Sequence, residues 1–131
     1  MLPTLTPFIF NVDIAINEND EAIITYYENG KVVNGGGSVV DANSIGLYII
    51  KDHPSNEGIT FVDVEFSEVE GAEERCAKED FAGALIKGGK AICIFDSNLN
   101  TGLTCMRFVV ERGGKTYKSP DPQVENDREP N

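Results

Sequence analysis

The stretch FIFNVDIAI at residues 8–16 alternates. Phe8, Phe10, Val12, Ile14 and Ile16 fall on one side, and Ile9, Asn11, Asp13 and Ala15 on the other. A period of two held this long predicts a strand with one face in a core and one toward solvent. NEND then supplies turn residues, and AIITYYE is rich in β-branched and aromatic residues. Asn29-Gly30 stands between that run and KVV, the preferred chemistry of a two-residue type I′ hairpin turn. Tyr26 and Tyr27 are neighbours, so one ring must point inward and the other outward. Gly35-Gly36-Gly37 would suit a phosphate only if a helix followed it. SVV follows instead, so a flexible loop or bulge is expected.

SIGLYIIK reads as a short apolar strand and DHPSNEG as a loop. ITFVDVEF alternates again, with Val62, Val64 and Phe66 expected inward. Residues 67–89 break this rhythm. Helix formers around residues 72–80 and a Glu74–Lys78 pair at i,i+4 predict one short helix inside an acidic connection. KAICIF and LTCMRFVVE are two further strands, expected to form a hairpin through DSNLNTG. Met106, Phe108 and Val110 share a face of the second. RGGK turns into a last strand, KTYKS. Seven or eight short strands, turn signals between them and no βαβ rhythm predict an all-β, immunoglobulin-like β-sandwich with that one short helix. The Cys…Trp…Cys core of antibody domains is missing, since the chain has no Trp.

The sandwich is expected to occupy residues 1–118 as a single domain. Residues 119–131, SPDPQVENDREPN, form an acidic, Pro-containing C-terminal tail with Val124 as its lone aliphatic residue. Composition alone reads it as disordered. The X-Pro steps favour extended backbone, so an edge strand strapped to the sandwich by Val124 is the other reading.

A hydrophobic fraction of 40% over 131 residues supports a core without staples. The formal net charge of −11, from 22 acids against 11 bases, argues against nucleic acid and against an anionic membrane surface as partners. No basic leader and no apolar run of about 20 residues is visible. Cys76, Cys93 and Cys105 are an odd set without a CxxC pair, which reads as reduced thiols in a cytoplasmic protein.

Candidate chemistry is sparse. In the loop at residues 96–102, Asp96, Asn98 and Asn100 alternate, a spacing that lets side-chain oxygens converge on calcium. The Gly and the bidentate Glu of a full EF-hand loop are replaced by Thr101 and Arg107, and the same residue types are ordinary loop formers. His53 is the only histidine, with no GxSxG motif to complete a triad and no thiol pair to complete a zinc site. The many carboxylates, Asp63 and Glu65 among them, lack the aromatic platforms of a glycosidase cleft. The residues therefore point away from an enzyme, and no cofactor is expected. The first expectation is a protein-binding or self-associating module, its partner another protein or a second copy. The alternative is a calcium- or carbohydrate-dependent module using residues 96–102. A hydrolase comes last.

Asp121-Pro122 and Glu129-Pro130, closing a small β protein, resemble the DP-EP family of bacterial β-sandwich proteins. The resemblance implies a β-sandwich and brings no established activity. Asp121, Pro122, Glu129 and Pro130 come over as the family motif, with no role attached.

Overall fold

A computed structural model describes residues 7–39, 42–73, 75–86 and 88–127, and among these it places eleven strands in two sheets. The strands are β1 (Phe8–Ile16), β2 (Ala22–Glu28), β3 (Lys31–Val33), β4 (Gly37–Val39), β5 (Ser44–Ile50), β6 (Thr60–Ser67), β7 (Phe81–Leu85), β8 (Ala91–Asp96), β9 (Gly102–Arg112), β10 (Lys115–Lys118) and β11 (Gln123–Asn126). The first sheet runs β3-β2-β1-β5-β8-β7. The second runs β10-β9-β11-β4, with β6 along the opposite side of β9. Two pairs are parallel, β1 with β5 and β4 with β11. The protein is an all-β sandwich, as its strand pattern predicts.

The alternation in β1 works as expected. Phe10, Val12 and Ile14 are buried and lie beside Ala22, Ile24 and Tyr26 of the neighbouring β2 on the core face of the sheet. Phe108 of β9 is the centre of the aromatic part, with Tyr48 at 4.8 Å and Phe61 at 5.5 Å between ring centroids. The Asn29-Gly30 turn has both residues at positive φ, 54° and 79°, as a type I′ turn requires. Tyr26 is buried, and Tyr27 lies outward under the Lys51 ammonium.

Three expectations fail for identifiable reasons. Val62 was expected inward, but the β6–β9 register shifts between Phe61 and Asp63. That bulge turns Phe61 into the core, where it is 1% exposed, and restores Val64 and Phe66 to the core side beyond it. The helix expected around residues 72–80 is absent: the described residues of that stretch hold a 3₁₀ turn at Lys78–Asp80, and Glu74 of the expected ion pair lies outside the described residues. The backbone there is held by a neighbour: Leu103 of β9 donates its N–H to the Arg75 carbonyl at 2.8 Å. A tertiary hydrogen bond of this kind overrides weak helix propensity. The stretch after it, FAGAL, is edge strand β7. The hairpin expected through residues 96–102 is instead a crossing, since β8 belongs to the first sheet and β9 to the second. Cys93 and Cys105 are thereby on different sheets, and all three thiols are free.

The second sheet does not stop at Lys118. β10 and β11 follow each other along the same side of β9, and β11 lies between β9 and β4. Val124 is 6% exposed and belongs to the core. The glycine triplet makes this possible. A Cβ on Gly36 would collide with the Gln123 carbonyl, and one on Gly35 with the Tyr26 ring. Close approach of backbones, more than loop flexibility, is what these glycines supply.

Candidate functional site

Buried polar residues gather at the end of the sandwich where β1 and β5 begin and β8 ends. Asp96 closes β8 on the inward side, after Ile92 and Ile94, and is 5% exposed. Its Oδ1 accepts the Asn98 N–H at 2.9 Å and the Asn126 side-chain amide at 3.0 Å. Its Oδ2 is buried and has no hydrogen-bond partner among the described residues. Asp80, from the 3₁₀ turn, takes the Asn100 N–H at 2.8 Å and the Asn126 amide at 3.1 Å on Oδ2, and the Asn100 side-chain amide at 2.7 Å on Oδ1. A single amide nitrogen of Asn126 thus bridges two carboxylates, while Asn126 Oδ1 has no hydrogen-bond partner among the described residues. Burial pushes the Asp96 carboxyl up from the usual carboxylate range. The Asn98 and Asn126 donors pull it back in part, and the Asp80 charge adds to the rise.

The loop triad of the sequence lies here, but arranged differently from a calcium loop. Asn98 is fully buried, at φ 51°, and donates its amide to the Val39 carbonyl at 3.1 Å. Asn100 turns to Asp80. Asp96 is tied into the fold as an acceptor through Oδ1, and the two asparagines through their side-chain N–H donors. Among the described residues, no three of His, Cys, Asp and Glu are grouped to hold a metal ion. Asp80 and Asn126 were missed by sequence reasoning. Asp80 reads as part of a helix and Asn126 as tail, and their contact spans 46 positions of chain.

Next to Asp96 lies a cavity of about 220 Å³ between the sheets. Phe10, Phe81, Ile94, Met106 and Val124 give it an apolar part, and Asn34, Ser38, Ser44, Glu28 and Asp96 also line it. Among the described residues, no Lys, Arg or His lines it. Phe8, half exposed, also lines it. Tyr48 donates its hydroxyl to the Gly35 carbonyl at 2.6 Å and fixes one wall. Burial, and then the Glu28 charge, raise the Tyr48 phenol above its ordinary range, so it stays a donor. His53 lies elsewhere, exposed, with Nδ1 2.7 Å from Ser55 Oγ and accepting the Ser55 N–H, as the cap of the 3₁₀ turn Pro54–Asn56.

Asp121-Pro122 sits where β10 gives way to β11. Lys118 pairs with Val109 and Gln123 with Cys105, so five steps on one strand match four on the other. The peptide bond between Asp121 and Pro122 is cis. Hydrogen bonds continue across the interruption. Ser119 N–H donates to the Phe108 carbonyl, Phe108 N–H donates to Ser119 Oγ, and Met106 N–H donates to the Pro122 carbonyl, at 2.8–2.9 Å. Ser119 Oγ donates in turn to the Asp121 carbonyl at 2.7 Å. The Asp-Pro step is thus the one-residue bulge that carries the edge past β9. The sequence matches the model of the DP-EP family over residues 8–128. The chain belongs to the DP-EP family. No curated protein matches it. The DP-EP match takes in all eleven strands, including β11. Glu129 and Pro130 lie outside the described residues. No helix among the described residues is long and apolar enough to cross a membrane.

This DP-EP family chain also has an apolar surface. Strand alternation directs Ile9, Leu47, Cys93 and Ala84 away from the core, and they form one row across β1, β5, β8 and β7. Ile45, Phe95 and Ala82 form the next row. Ile9 is 47% exposed and Phe95 41%. Neither row contains a charge, in a chain whose formal net charge is −11.

Proposed function

We propose that this DP-EP family protein is a self-associating binding module, in which two copies meet through the outer face of the first sheet. The observation that carries this reading is the uncharged pair of rows across β1, β5, β8 and β7. Large exposed apolar patches on soluble domains mark interaction sites. A second copy suits the face for two reasons. Copies this acidic repel each other, and here they approach without opposing carboxylates. The side chains are also graded, large on β1 and β5 (Ile9, Ile45, Leu47) and small on β7 (Ala82, Ala84). A two-fold axis along the strands lays β1 of one copy over β7 of the other, setting Ile9 against the alanines, and β5 over β8, the self-complementary arrangement of an isologous interface.

At strand spacing the flat footprint of the two rows is about 230 Å² per copy, less than the roughly 800 Å² of a standard interface. The dimer is accordingly weak and reversible. Sedimentation equilibrium up to several hundred micromolar tests it. The expected result is a monomer–dimer equilibrium that tightens from low to 0.5 M salt, as the net charge is screened, and that Phe95→Glu abolishes. A chain that stays monomeric throughout, or a dimer indifferent to Phe95→Glu and Leu47→Glu, rejects the reading.

A further inference from the structure

A strand at the edge of a sheet presents unpaired backbone N–H and C=O groups, and folded proteins guard such edges with short strands, charges and bulges. The open edges of this sandwich are guarded in those ways, with one exception. β3 and β4 have three residues each. β10 carries Lys115 and Lys118. β6 carries Asp63 and Glu65, and its register shifts between Phe61 and Asp63. β7, FAGAL, has five residues, no charge, no proline and an unbroken register against β8. No described strand pairs with its other side. β6 approaches β7 from the core, where Val64 packs against Gly83 and leaves no room for a Cβ. Residues 82–85 are all exposed, Leu85 to 50%.

The ends of the β7–β8 ladder fix which backbone groups point outward. Ser97 N–H donates to the Asp80 carbonyl, and Ile86 N–H donates to the Ala91 carbonyl. Alternate residues of an antiparallel strand bond to the same neighbour, so Ala82 and Ala84 bond to β8, and Phe81, Gly83 and Leu85 aim their groups away from it. Phe81 N–H is taken by the Lys78 carbonyl. The free donors are therefore those of Gly83 and Leu85, and the free acceptors those of Phe81, Gly83 and Leu85. This set complements itself. From it we infer that β7 is a docking edge for a second copy of the chain, β7 against β7 and antiparallel about a two-fold axis at Gly83, so that two six-stranded sheets become one. Each Gly83 N–H then donates to the other Gly83 carbonyl, and each Leu85 N–H to the other Phe81 carbonyl, which uses every free donor of the edge. Ala82 lies opposite Ala84 on one side of the joined sheet and Phe81 opposite Leu85 on the other. No charges are opposed, in copies whose formal net charge is −11. Each copy has a single β7, so the pairing closes at two. It is made by backbone at the edge and does not depend on the outer-face contact.

Amide hydrogen exchange on the full chain, from dilute to millimolar protein, tests the pairing. Gly83 and Leu85 N–H should slow at least tenfold as concentration rises, and Ala82 and Ala84 N–H should be protected throughout. Leu85→Pro removes an outward donor without touching the β8 ladder, as edge positions tolerate, and should abolish the concentration dependence at Gly83. Leu85→Lys keeps the donor at an exposed position, gives β7 the charge it lacks, and should weaken the pairing at least tenfold; it decides the matter if the proline variant does not fold. Leu47→Glu, which breaks the outer-face contact, should leave the protection of Gly83 unchanged, so the two contacts succeed or fail separately. The inference is overturned if Gly83 and Leu85 exchange at one rate at every concentration, if folded Leu85→Pro or Leu85→Lys keeps the protection of the unmodified chain, or if Leu47→Glu removes it.

Discussion

Two asparagines plug the two ends of the sandwich, and they are satisfied to different degrees. Asn56 is 2% exposed, and every polar atom of its side chain is engaged: Oδ1 accepts the Ile14 N–H, and Nδ2 donates to Asp13 and to the Lys51 carbonyl, all at 3.0 Å. The Lys51 ammonium stands 3.5 Å from the same Asp13. At the other end Asn126 is 1% exposed, divides one nitrogen between Asp80 and Asp96, and leaves its own oxygen unpaired. One end is a closed structural network. The other has acceptors in excess of donors and a cavity beside them. Incomplete buried networks are unfavourable in isolation, so the two ends differ in how much each contributes to stability.

The largest test removes one end altogether. A chain ending at Lys118 loses β11, Val124 and Asn126, leaving β4 without its partner strand and the start of β9, which paired with β11, open on that side. Its melting temperature should fall by about 15 °C or more, or cooperative unfolding should disappear. A fall below 3 °C would mean that the C-terminal strand is dispensable. Asn56→Ala comes next. It orphans a buried N–H and a carbonyl and opens a small void, for a loss of about 2–4 kcal/mol, or about 10 °C. A neutral result would remove the contrast between the two ends.

The subtlest test uses pH. Burial raises Asp13, but the Asn56 amide and the Lys51 charge outweigh it, so its carboxyl ends below the ordinary value. A group with a lowered folded pKa stabilises the fold above its unfolded pKa, near 4, and that stability is lost as pH falls through the folded value. Asp96 is raised, so its favourable contribution is present below about pH 4 and is lost as pH rises through the folded value. Asp13→Asn should therefore lower the melting temperature at pH 7, and Asp96→Asn should raise it by a few degrees. Both differences should shrink toward pH 3. The same sign for both substitutions at pH 7 would show that the two ends are electrostatically alike.

Legibility followed the range of the interaction. The alternation of Phe8 to Ile16 and the Asn29-Gly30 turn are local rules, and both elements were readable. Val62 was misplaced because a bulge is set by the partner strand, and residues 72–80 were over-read as helix because a hydrogen bond from β9 to Arg75 decides that segment. At the candidate site the residue types of Asp96, Asn98 and Asn100 were visible as loop chemistry. Their true partners were not, because Asp80 and Asn126 reach them through tertiary contact alone. The tail was the hardest case. Its composition resembles a disordered end, yet Gly36 admits the Gln123 carbonyl and the Asp-Pro bulge keeps β11 beside β9.

By itself the sequence determined the strand-rich class, the inward face of β1, the turn at Asn29-Gly30 and the acidity of the chain. Each depends on neighbours a few residues apart, where sterics and period act directly. Only the tertiary structure decided that residues 123–126 are a central strand, that Asp96 is buried with an unpaired oxygen, and that Ile9, Leu47, Cys93 and Ala84 form a single row. Each of those depends on strands far apart in the chain being brought side by side, which no local preference encodes.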